Sequence, residues 1–163
     1  MHPARVRIDL LLEVVDQAYN RRAWHGTNLR GSIRGLSPAE ADRRPAAGRH
    51  NIREVVLHVA YWKYAVWRKL TGAKRGLFPL AGSNWFRRPV PGGPPEWKEA
   101  VDLLDRMHGQ LRDAVAAISD ADLAGKPAGT RYTRATLIYG AASHDLYHAG
   151  QIQLLKRLEA SGV

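Results

Sequence analysis

The segment ASHDLYHAGQIQLLKR, residues 142–157, decides how this chain is read. It places His144 and His148 four residues apart in a stretch with helical apolar spacing. Leu137, Ala141, His144, His148, Ile152, Leu155 and Leu158 recur in steps of three and four, which predicts a helix over 135–160. Residues four apart on a helix share one side, with Cβ atoms roughly 5–6 Å apart, a spacing that suits two imidazoles on one ion. A neutral imidazole is a good ligand for zinc, nickel, copper or iron. The pair alone is a weak signal, because such spacing arises by chance. It is not a zincin motif: Asp145, not Glu, follows the first histidine.

The other periodic segments are also helical. Residues 5–20 place Val6, Leu10 and Val14, or Leu11 and Val15, on one face with Ala18. A short helical piece is expected before Gly35, and SPAEADRRPAAGR reads as a loop or a single turn. A second long helix opens at Asn51, with Glu54 three residues on in a capping-box arrangement, and ends at Gly72. Its apolar face holds Ile52, Val55, Val56, Val59, Trp62, Val66 and Leu70, with His58 on the border. A third helix starts at Pro95 or Glu96 and carries Trp97, Val101, Leu104, His108, Leu111, Val115 and Ile118. No period-2 strand pattern, internal repeat or low-complexity segment is evident. Four amphipathic segments in one chain of 163 residues predict an all-α four-helix bundle forming a single domain over 1–163.

Composition narrows the function. Hydrophobic residues make up 45% of the chain, enough for one core. No run of about 18 apolar residues indicates a membrane span, and the N-terminal stretch does not read as a secretory signal. The expected address is the cytoplasm. There is no cysteine, which excludes disulfides, thiolate metal sites and a protein cysteine nucleophile. The formal charge is +10. That raises the prior for an anionic partner, but the cations are scattered and mostly arginine. No basic stripe appears, which argues against nucleic acid.

Three histidines from two helices could form a tripod around one cation, leaving a coordination position open for chemistry. The chain resembles the DinB-like (DinB/YfiT) superfamily in the segments AWHGTNL (23–29), GRHNIREVVLHVAYWKYAVWRKLTG (48–72), NWF (84–86), PEWKEAVDLL (95–104) and YGAASHDLYHAGQIQLLKR (139–157). The resemblance implies a divalent metal, commonly zinc or nickel, held by His58, His144 and His148. It also implies a bundle with a long crossover between the second and third helices, and frequent homodimers. Some relatives are S-transferases or isomerases that use bacillithiol, mycothiol or glutathione. The function so implied is a metal-dependent enzyme with thiol S-transferase-like chemistry on a small electrophile. The alternatives are a metal-dependent hydrolase and a non-catalytic metal-binding stress-response protein.

Around that site, Gln151 is placed to orient a ligand. His50 and His25 are candidates for the pocket mouth. Trp85 and Phe86 are pocket candidates because they lie in a Gly/Pro-rich loop. The loop 76–95 is expected to wall the metal pocket and gate it, with Arg87 and Arg88 attracting an anionic ligand. Arg53 is a further candidate for a thiol's carboxylates.

Overall fold

The computed structural model describes residues 5–86 and 95–160. Four long helices carry the fold: α1 (Val6–Tyr19), α4 (Ile52–Thr71), α5 (Trp97–Ala116) and α6 (Arg134–Ala160). Two single-turn helices, α2 (Leu29–Ser32) and α3 (Pro38–Asp42), sit between α1 and α4. A 3₁₀ turn, Asp120–Ala124, precedes α6. No strand occurs among the described residues, so the molecule is an all-helical bundle. The closest-knit pairs are α4 with α5, α1 with α6, and α4 with α6.

Local chemistry explains the boundaries of these helices. The Asn51 side chain accepts the Glu54 amide at 2.8 Å, satisfying one of the orphan donors of α4. The return half of the expected capping box is missing, because the Glu54 carboxylate is taken by Arg44 and His50 instead. At the other end Gly72 adopts φ 74° and its amide returns to the Arg68 carbonyl at 2.9 Å, a left-handed cap that glycine takes without a Cβ penalty. The expected turn after Ser37 is a short helix with a complete capping box between Ser37 and Glu40.

Helix α1 has no capping residue of its own. Asp120, far away in the 3₁₀ turn, accepts the amides of Arg7 and Ile8 at 3.0 and 2.8 Å. Asp16 is buried in the same helix and clamped by Arg112 of α5 at 2.7 and 3.0 Å. These contacts turn Ile8, Val15, Ala18 and Tyr19 inward. The first of the two faces read from the sequence is the wrong one: Val6, Leu10 and Val14 are exposed, and Val15 and Ala18 carry the packing.

A similar rotation applies to α6. Its buried residues are Ile138, Ala142, Asp145, His148, Ala149 and Ile152: His148 and Ile152 are as expected, while the first half of the helix is turned one step round. Leu137, Ala141 and His144 are half-buried and Leu158 is exposed, so the first histidine stands at the edge of the core rather than its centre. That offset positions the site.

Candidate metal centre

His58 from α4 and His144 and His148 from α6 meet between the two helices. The Nε2 atoms of His58 and His144 are 3.2 Å apart, and those of His148 and His144 are 3.1 Å apart. The far side of two of these rings is fixed. His58 Nδ1 lies 2.9 Å from the Asn84 carbonyl oxygen, which can only accept. His148 Nδ1 lies 2.7 Å from Gln151 Oε1, while the Gln151 amide nitrogen donates to the Tyr147 hydroxyl at 3.1 Å. Both Nδ1 atoms therefore carry the proton, and both Nε2 lone pairs point inward at His144. One shared proton cannot satisfy three converging acceptors, so the donor set is one that suits a cation. Imidazole nitrogens about 2.0–2.1 Å from a tetrahedral ion lie roughly 3.3 Å from each other, close to the two spacings to His144, and all three donor atoms lie within 4.8 Å of one another.

Electrostatics point the same way. Burial holds all three rings below the usual imidazole range. For His58 the Asn84 carbonyl opposes this in part. For His144 the neighbouring His148, His58 and Lys63 add to it, and the ring falls to about 3. His148 falls to about 4 through burial and His58, against the Gln151 contact. Neutral rings are the form that ligates.

A second layer orients the first. Trp85 stacks on His58 with centroids 3.9 Å apart and on His50 at 3.7 Å, lying between the two. His50 in turn meets the buried Glu54 at 2.8 Å. Burial pushes the Glu54 carboxyl up, but Arg44 and His50 outweigh it and hold it low. Asn84 serves twice: its carbonyl takes His58, and its side-chain oxygen accepts from Trp62 Nε1 at 3.0 Å. It does so at φ 66°, a left-handed conformation that asparagine tolerates better than most residues.

The expected site residues therefore divide. Trp85, His50 and Gln151 touch the histidine cluster or its orienting layer. Phe86 does not share that role: it is buried against Tyr61 and Phe78 in the core, because the loop turns inward after Trp85. His25 is exposed in the turn after α1. Arg53 is only 2% exposed and is bound to Asp42 at 2.7 Å and to the Pro95 carbonyl at 2.9 Å, so it holds α3 and the start of α5 to α4. Arg87 and Arg88 lie outside the described residues.

Asn84, Lys63 and Asp145 were not singled out by the sequence. Lys63 and Asp145 form a buried ion pair at 2.5 Å beside the cluster. Lys63 also lies 3.3 Å from His108 Nδ1 and over the Tyr19 ring. Burial raises the Asp145 carboxyl to about 6, against the pull of Lys63. A lysine and an aspartate at core register were the available signal; their pairing across 82 residues was not.

A helical bundle with an inward three-imidazole cluster is the class of protein that this fold and site define. The chain belongs to the DinB superfamily, whose model matches residues 21–152. Among solved structures it resembles a conserved protein from Enterococcus faecalis, with 17% identity, a TM-score of 0.67, and coverage of 94% of this chain and 96% of that one. No curated protein matches it.

Proposed function

We propose that this chain is a metal-dependent enzyme that joins a low-molecular-weight thiol to a small electrophile, with His58, His144 and His148 holding a divalent cation, zinc or nickel. The observation that supports it is the convergence of three Nε2 atoms, with the opposite ring nitrogens of His58 and His148 donating outward. A cation bound there supplies Lewis acidity, which favours the deprotonated form of a thiol. The reaction loses the thiol proton, forms a C–S bond and breaks the bond to a leaving group, which departs with its electron pair. The sulfur must come from outside, since the chain has no cysteine.

The chain's own residues orient the rings and keep them neutral, and Trp85 covers one face of His58. Asp145, the carboxylate next to His144, is committed to Lys63 and leaves no base turned toward the cluster by that route. A cation held by three imidazoles would acidify bound water as well as a thiol, so hydrolysis stays the second reading and the activity matrix below separates the two. A cytoplasmic address and a small-molecule substrate belong to the same reading; no described helix is long and apolar enough to cross a membrane.

Elemental analysis of the purified protein is expected to find about one divalent metal per chain, and His148→Ala is expected to lose most of it. Equal occupancy in the two proteins would sink the assignment. A matrix of thiols against electrophiles, run on metal-loaded protein with matched no-thiol controls, then separates transfer from hydrolysis and from binding without turnover.

A further inference from the structure

Beside the histidine cluster, a cleft of about 260 Å³ opens between α4 and the first half of α6. Trp62 and Val66 wall it on α4, and Leu137, Gly140 and Ala141 on α6, with His144 at one end. Trp62 stands edge-on to both His58 and His144, with centroids 6.4 Å away, so the cleft and the cluster share a boundary.

The polar groups that reach this cleft have partners. The Thr136 hydroxyl is bonded to that of Thr133 at 2.8 Å. The Tyr132 hydroxyl receives Arg131 at 3.1 Å. Lys63 is the charged residue in the lining, and its ammonium is engaged by Asp145, His108 and the Tyr19 ring. A ligand that brings a charge or several hydrogen-bonding groups would leave them unmatched here. Gly140 adds a second feature: a side chain built on it would meet nothing within 4 Å, so the helix surface is open to the cleft at that point.

We propose that this cleft seats the uncharged, apolar body of the electrophile, with its reactive end against His144, a proposal that rests on the metal-site reading above. An apolar cavity of about 150 Å³ holds one benzene ring, so the size here fits two rings or a comparable alkyl chain. The substrate class is a small aromatic or aliphatic electrophile, not a sugar, nucleotide or polyanion.

The test uses the full-length protein and the neutral two-ring probe 6-propionyl-2-(dimethylamino)naphthalene, whose fluorescence rises and shifts to the blue in apolar surroundings. Wild type is expected to bind it saturably. 1-Methylnaphthalene is expected to displace it, and naphthalene-1-sulfonate at the same concentration is not. Gly140→Leu fills the cleft and is expected to weaken binding at least tenfold with metal content unchanged. Val66→Phe, from the opposite wall, is expected to do the same and replaces Gly140→Leu if that variant fails to fold by circular dichroism. His148→Ala is expected to lose metal and keep the probe. Absent saturable binding, equal affinity in a folded cleft-filling variant, or equal displacement by the sulfonate would overturn the proposal. If wild type lacks metal but the cleft-filling variants lose the probe, the metal reading falls and the apolar cleft stands.

Discussion

His108 shows how a single residue is set by its surroundings. It sits on the apolar stripe of α5, buried, stacked on Tyr19 at 3.6 Å and facing the Lys63 ammonium. Burial, then Lys63 and Arg112, lower it from 6.5 to about 3. Its folded pKa lies below its unfolded one, so the stability it contributes is present above pH 6.5 and is lost as pH falls toward 3. Between pH 6.5 and 5 the unfolded chain takes up a proton that the folded chain refuses, which costs roughly 1–2 kcal/mol. Denaturant unfolding of metal-free protein at these two pH values is expected to show a larger loss, because His144 and His148 are lowered in the same way, and His108→Gln is expected to remove roughly 1–2 kcal/mol of it. An unchanged slope in the variant would mean that other groups carry the acid sensitivity. The stripe position of His108 was plain in the sequence; its neutrality was not, because Lys63 and Tyr19 reach it from other helices.

At the scale of elements, the segment after α4 does two things within three residues. Asn84 and Trp85 dress the face of His58, and Phe86 enters the core beside Tyr61 and Phe78. The sequence put Trp85 and Phe86 together as pocket aromatics, since both lie in a Gly/Pro-rich loop. Trp85 turns to His58 while the next residue, Phe86, turns into the core. The two substitutions are therefore expected to separate. Trp85→Ala is expected to weaken thiol or electrophile binding with metal content retained and little change in melting temperature. Phe86→Ala is expected to cost about 3 kcal/mol of stability, in the range for a buried phenylalanine. Matching thermal and binding profiles for the two variants would refute this division of labour. The gating role expected of the loop 76–95 remains a proposal resting on its described part, to which Trp85 gives contact with the site.

At the scale of the whole molecule, the five tryptophans take different places. Trp97 is buried with its indole N–H on the Leu36 carbonyl, Trp67 packs against the core, and Trp85 lies between two imidazoles. Trp24 and Trp62 are exposed, and so, among other apolar side chains, is the outward stripe Val6, Leu10 and Val14 of α1. An apolar row on one helix is a feature that association covers, and we propose a homodimer. Light scattering at micromolar concentration is expected to return about twice 18.2 kDa; a mass of 18.2 kDa across the range would count against it.

The sequence by itself determined the helices and pointed to the three histidines that the structure brings together. Periodicity, Asn51, Gly72 and the four-residue spacing of His144 and His148 are local, and local chemistry sets them. His58 came from the resemblance as much as from its place on the border of a helix face. Only the tertiary structure decided the rotation of each helix, which put Val15 rather than Val14 inward and moved His144 to the edge of the core. It also decided which carboxylates were spent on structure: Asp120 on the amides of α1, Asp16 on Arg112, and Asp145 on Lys63. Those pairings join residues 82 to 113 apart in sequence. Helical periodicity says which side chains share a face. It does not say which charge on another helix will meet them once the bundle closes and water is excluded.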